Sequence, residues 1–169
     1  MTIDDLEKND MEDLLSDFRH TIDTASRRLL QISEEQSETP RAHGKWSPKQ
    51  IIGHLIDSAS NNHQRFVRAQ FTDDLVFPSY QQEEWVHAQR YDQESWEQLV
   101  QLWKHYNKHL LHLMSVVPEE VRTRLRGKHN LPQTAWQTVA ENHPVTLEYF
   151  MRDYVEHLKN HVRQILPAL

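Results

Sequence analysis

Two histidines, His157 and His161, stand one helical turn apart in the stretch RDYVEHLKNHVRQIL. Leu147, Met151, Tyr154, Leu158, His161 and Ile165 fall on one helical stripe, so His161 takes a seam position that packing alone would give to leucine. A His pair at i and i+4 can aim two ring nitrogens at one divalent cation. A third imidazole from a neighbouring helix completes a three-nitrogen set and leaves positions open for water or substrate, as in catalytic rather than structural zinc sites. His54 is the candidate for that third position, in the row Ile51, His54, Ser58, Asn61, Arg65 beside a second apolar stripe. Ligand type alone does not choose between Zn²⁺, Ni²⁺, Co²⁺ and Fe²⁺.

Spacing alone is weak evidence. The chain carries 12 His in 169 residues, and chance then gives about one i,i+4 His pair. A second pair, His105 and His109, with His112 beyond, is indeed present. Each of those three precedes a seam residue by one and reads as part of a solvated flank. His161 occupies the seam itself, where an unpartnered polar group is costly.

Three further polar residues are candidates. Asp153, one turn before His157, suits either an orienting contact to a ligand imidazole or an ordinary ion pair on its own helix. Asn61 and Arg65 are placed to anchor an anionic substrate, and Arg65 equally suits a structural pair with a carboxylate. Tyr154 and Trp46 read as packing residues. Other chemistries lack their residues: HLKNH has Leu158 where a zinc protease has Glu, and EWVH is half a di-iron motif without its second half. There is no nucleophile elbow, no haem-attachment motif and no glycine-rich phosphate loop.

The elements that must position these residues are helices. Only three Gly occur, β-branched runs are scarce, and Pro separates the periodic segments. Four stripes repeat at helical spacing: Met11, Leu15, Phe18, Ile22, Ala25, Leu29, Ile32; then Ile52, Leu55, Ala59, Asn62, Phe66, Ala69; then Trp96, Leu99, Trp103, Tyr106, Leu110, Leu113, Val117; then the His157–His161 segment. Ser47, Pro48 and Gln50 form a helix start with a capping box. The pattern predicts an all-α four-helix bundle, one domain over residues 1–169. Its long links, 35–46, 72–91 and 118–145, are expected to carry short helices at SYQQEEWVHAQ and PEEVRTRL. Links of that length often hold binding residues or cross a bundle end.

Composition narrows the function. Net charge is −6, with 19 Lys+Arg against 25 Asp+Glu, and no basic block is present. Direct nucleic-acid contact and attraction to an anionic membrane are therefore not expected. No Cys is present, so a thiol, if one reacts, comes from a cosubstrate. The acidic start MTIDDLEKNDMEDLL has no apolar core of a leader, and no run is long enough for a membrane span, which fits a cytoplasmic location.

Three stretches together resemble the DinB superfamily, more closely its YfiT-like branch of metal-dependent enzymes: KWSPKQIIGHLIDSASNNHQRF, FPSYQQEEWVHAQRYDQESWEQLVQLW and TLEYFMRDYVEHLKNHVRQI. The likeness runs from about Ala42 to Ile165. It implies a four-helix bundle whose metal, usually zinc or nickel, is held by His54, His157 and His161. It also implies a small-molecule substrate, a homodimer, and either thiol-dependent S-transfer or metal-dependent hydrolysis. Trp85, Trp96 and Trp136, read as exposed aromatics, are candidates for the dimer face, with core packing as their alternative role. The thiols of such relatives are bacillithiol, mycothiol or glutathione. The alternative is a non-catalytic bundle that binds a ligand or partner, with a structural metal or none. One departure is local: ENHPVTL, with His143 and Pro144, stands where many relatives have a glycine turn before the last helix.

Overall fold

The computed structural model describes residues 3–168, with side chains described from Met11 onward. The start of the acidic N-terminal stretch, read above as lacking a leader, lies outside these residues. Four long helices dominate: α1 (Ile3–Leu29), α3 (Pro48–Arg68), α5 (Trp96–Val116) and α8 (Leu147–Ile165). Short helices α2 (Glu34–Glu38), α4 (Gln82–Gln89), α6 (Glu119–Arg122) and α7 (Leu131–Thr134) sit in the links, with a 3₁₀ turn at Tyr91–Gln93. The four-helix bundle is all-α, and two isolated β-bridges are its only extended pairings among the described residues.

The helix starts follow local chemistry. Ser47 accepts from the Gln50 N–H while Gln50 Oε1 accepts from the Ser47 N–H, and Pro48 takes the first turn. Thr146 caps α8 by accepting from the Tyr149 N–H at 3.0 Å. A second capping box, Ser33 with Gln36, starts α2 inside the link that the sequence reading leaves without a helix.

Packing order makes the site possible. α3 packs on α5 and α8, and α1 packs on the same two, which puts α1 and α3 on opposite sides of the core. The chain from α1 to α3 therefore crosses an end of the bundle. Because α3 and α8 are neighbours, His54 and the His157–His161 pair face one another. His54, near the start of α3, meets the last turns of α8, while Arg65 and Phe66, near the end of α3, meet Phe150 in its first turn. The two helices are thus antiparallel.

The second and fourth stripes are buried much as expected, the second in full. The other two shift. Leu14 rather than Leu15 is buried in α1, and in α5 the inner face turns to Asn107, Leu111 and Met114 where Tyr106 and Leu113 are expected. A strict seven-residue repeat drifts by about 20° per heptad around a straight helix, so over the 21 residues of α5 the buried face turns away from Tyr106 and Leu113 toward Asn107, Leu111 and Met114. Trp96 takes the core role of its place in the third stripe rather than that of an exposed aromatic: it is buried, its indole N–H donating to the Leu29 carbonyl at 2.9 Å, whereas Trp85 and Trp136 are exposed.

The long links are tied down over the bundle. Leu75 pairs with the backbone around His129, and Arg126 with Val145. The Asn130 amide bonds both the N–H and the carbonyl of Phe77, at 3.0 and 2.8 Å. At the other end, Lys49 is buried at 2% exposure and bridges Glu34 and Glu38 of α2. No helix among the described residues is long and apolar enough to cross a membrane.

Candidate metal centre

His54, His157 and His161 come together. One ring nitrogen of each lies within 4.8 Å of the others, and His54 Nε2 is 3.2 Å from His157 Nε2. Their ring centroids are 4.6 to 5.2 Å apart. His54 is buried, and the two α8 imidazoles are half-buried. Two indoles flank the cluster, Trp46 at 5.3 Å from the His54 ring and Trp136 at 6.4 Å from that of His157.

Electrostatics keep the cluster neutral. Burial, then the neighbouring His161, lowers the His54 pKa to about 4. Burial and the other two imidazoles lower His157 to about 3, and burial lowers His161. Each ring is therefore uncharged at neutral pH and keeps a lone pair for a cation. Nδ1 of His54 and Nδ1 of His161 are buried without a hydrogen-bond partner, an unusual cost for a packed interior. Three neutral nitrogens converging on one point, with unsatisfied polarity around them, fit a divalent transition metal.

His54 and His157 of the cluster line a pocket of about 400 Å³. Its wall runs from His54 and His157 along Ser58, Asn62 and Arg65 of α3 and Phe150, Asp153 and Tyr154 of α8. The two links close it with Ser79 to Gln82 and Gln133 to Trp136. Tyr80, half-buried in this wall, stays a phenol, because burial and the Asp57 charge push its pKa up to about 12.

The other candidates take distinct places. Asp153 lines the pocket, but its carboxylate accepts from the Trp136 and Gln137 N–H groups, both at 2.8 Å, so its hydrogen bonds fix a loop rather than an imidazole. Asn61 donates to the Asp57 carbonyl at 2.9 Å and is not part of the pocket wall, where Asn62 stands instead. Arg65 is buried in that wall and bonds only neutral oxygens. Tyr154 is core, its hydroxyl donating to Asn107 Oδ1 at 2.6 Å. His105, His109 and His112 are exposed. His143 belongs to a separate cavity beside Leu125 and Tyr149.

The family model of the DinB superfamily matches residues 17–165. The chain belongs to the DinB superfamily. As a DinB-superfamily protein it shares its fold with YfiT from Bacillus subtilis, whose solved structure is described as "a probable metal-dependent hydrolase with an unusual four-helix bundle topology". The TM-score is 0.73 at 18% identity, over 92% of this chain and 83% of that one. Among curated sequences, a protein of Oceanobacillus iheyensis is 31% identical over 84 residues, 50% of this chain and 44% of its own. One of Bacillus mycoides is 28% identical over 61 residues, 36% of this chain and 35% of its own. Both bear the name "Putative metal-dependent hydrolase". The matches span less than half the length of these curated relatives.

What the sequence reading missed lies in the links. Tyr80, Gln133 and Trp136 belong to the pocket although no periodicity marks them. The only signal was the length of the links, which exceeds what a minimal bundle needs.

Proposed function

We propose that His54, His157 and His161 bind a divalent transition-metal ion, zinc or nickel, and that the protein is a metal-dependent hydrolase of a small electrophilic substrate. The observation that carries this reading is the convergence of three neutral imidazole nitrogens within 4.8 Å, with His54 and His157 lining a pocket. The names given to the relatives in Oceanobacillus iheyensis and Bacillus mycoides, and to YfiT, support it. When bound, such an ion supplies Lewis acidity, which polarises a carbonyl and acidifies a water or thiol beside it.

The chain's own residues set the conditions for that chemistry. Burial holds the imidazoles unprotonated, so no proton competes with a cation near neutral pH. Trp46 and Trp136 flank the two facing rings, at 5.3 and 6.4 Å between ring centroids. Asp153 holds the Trp136–Gln137 backbone, and with it the indole against His157. Ser58, Tyr80 and Gln133 supply neutral hydrogen-bonding groups to orient a polar substrate.

Thiol S-transfer is the rival reaction of the same centre. With no Cys in the chain, the thiol would have to enter as a cosubstrate. Elemental analysis of protein purified without a His-tag, followed by assays on activated esters with and without a low-molecular-weight thiol, separates the two. Zinc or nickel near one per chain with thiol-independent ester cleavage supports hydrolysis. Turnover only with thiol moves the assignment to transfer, and protein free of metal after growth in zinc or nickel removes both. A cytoplasmic location and a homodimer accompany this reading; sedimentation of the purified protein reads the second.

A further inference from the structure

Arg65 is a permanent cation in the pocket wall with no carboxylate partner among the described residues. It is 5% exposed. Its guanidinium donates to the Pro78 carbonyl at 3.0 Å and makes long contacts to the Thr134 carbonyl at 3.4 Å and Asn62 Oδ1 at 3.5 Å. The Phe150 ring covers one side, 5.9 Å from Cζ. All of these partners are neutral. A buried charge held only by neutral groups is costly, and five N–H donors exceed three acceptors, two of them distant.

The surroundings favour a single negative charge arriving from the pocket. Thr134 and Pro78 come from the two links, so a backbone carbonyl of each link holds the guanidinium in the wall. Tyr80 in the same wall keeps its proton, by burial, and can donate it in a hydrogen bond. Asp153 is the wall's one carboxylate, and both of its oxygens are engaged by backbone N–H groups. One guanidinium with that carboxylate nearby suits a monoanion and disfavours a dianion. A planar carboxylate also matches the guanidinium fork.

Position sets the length of the ligand. Arg65 lies over Phe150, and Phe150 precedes His157 by two turns of α8, about 10 Å of helix rise. We propose that this pocket takes a small organic monocarboxylate, its carboxylate seated on Arg65 and its reacting bond on the order of 10 Å away, at the three imidazoles. The carboxylate seat stands on Arg65 alone; the place of the reacting bond rests on the metal reading above.

Metal-free protein tests the seat without interference from a cation. Wild type is titrated calorimetrically with 4-phenylbutyrate, with 4-phenylbutyramide, which has the same body without charge, and with inorganic phosphate. The acid is expected to bind at least tenfold more tightly than the amide. Arg65→Gln should abolish that preference, and Arg65→Lys, which keeps the charge but not the fork, should retain part of it. Should Arg65→Gln fail to fold, the wild-type acid–amide ratio and the Arg65→Lys ratio decide. Equal binding of acid and amide, or no binding of either at millimolar concentration, overturns the proposal, as does phosphate binding more tightly than the acid. Zinc content of separately loaded samples keeps the two readings apart. Acid preference without zinc uptake leaves the carboxylate seat standing and removes the reacting centre, while zinc uptake without acid preference does the opposite.

Discussion

His54 Nε2 approaches His157 Nε2 to 3.2 Å across the α3–α8 interface, while Nδ1 of His54 is left without a hydrogen-bond partner. Two neutral imidazoles in contact satisfy one nitrogen each, and the remaining unsatisfied groups weigh against the fold. The cluster therefore costs stability that an apolar side chain of similar size would not. For His54→Leu, zinc per chain should fall close to zero while urea stability of the metal-free protein rises or stays within about 1 kcal/mol of wild type. A loss well beyond that in the metal-free variant would show that the imidazoles are structural.

Acid should weaken the metal-free fold through the same groups. His54 and His157 titrate near 4 and 3 in the folded chain, against 6.5 when unperturbed. The unfolded chain thus binds more protons between these values, so stability is fully present above about 6.5 and is lost as pH falls toward 4 and 3. Each such imidazole contributes up to about 1.4 kcal/mol per pH unit inside that window. Urea midpoints of metal-free protein from pH 7 to pH 4.5 should fall, and His54→Leu with His157→Leu should flatten the slope. Equal slopes in variant and wild type would place the acid sensitivity elsewhere.

Asp153 holds the pocket's loop rather than the three imidazoles. Its carboxylate accepts from two successive backbone N–H groups, at 2.8 Å each. An Asn side chain offers one carbonyl oxygen, and its amide nitrogen would face an N–H. Asp153→Asn should therefore cost about 1.5–3 kcal/mol, as for a hydrogen bond to a charged acceptor, and release the Trp136 and Gln137 amides to hydrogen exchange. Zinc stoichiometry should stay near wild type. Protection of those two amides unchanged from wild type would contradict the loop-holding role.

The legible part of this molecule was what periodicity and cap chemistry carry. The four long helices, the capping box at Ser47 and the meeting of His54 with His157 and His161 all follow from spacing along single helices plus the adjacency of α3 and α8. Contacts between polar residues of different elements left no such trace. Asn107 lies outside the third apolar stripe, yet it is fully buried and accepts from the Tyr154 hydroxyl of α8. Lys49, in the first turn of α3, is buried by two glutamates of α2, a helix that no apolar stripe announces. Tyr80 and Trp136 enter the pocket only because the links are pinned through Asn130 and Asp153, pairings remote in sequence.

Gly53 is a further case in which one residue's identity depends on a partner far along the chain. A Cβ at this position would fall 2.1 Å from Cδ2 of Tyr91, inside the ring rather than at a mobile tip. Tyr91 has little room to withdraw. It is buried, and its hydroxyl donates to Asp57 Oδ1 at 2.7 Å, one turn along α3 from the glycine. Alanine gains about 1 kcal/mol of helix propensity over glycine, but forcing a methyl group into a packed ring costs typically 1–3 kcal/mol and here requires the ring or the helix to move. Gly53→Ala should therefore destabilise the protein in denaturant titration. In a Tyr91→Ala background the space is open, and the same substitution should become stabilising by about 0.5–1 kcal/mol. A sign that does not reverse between the two backgrounds would mean that something other than the Tyr91 ring demands glycine at position 53.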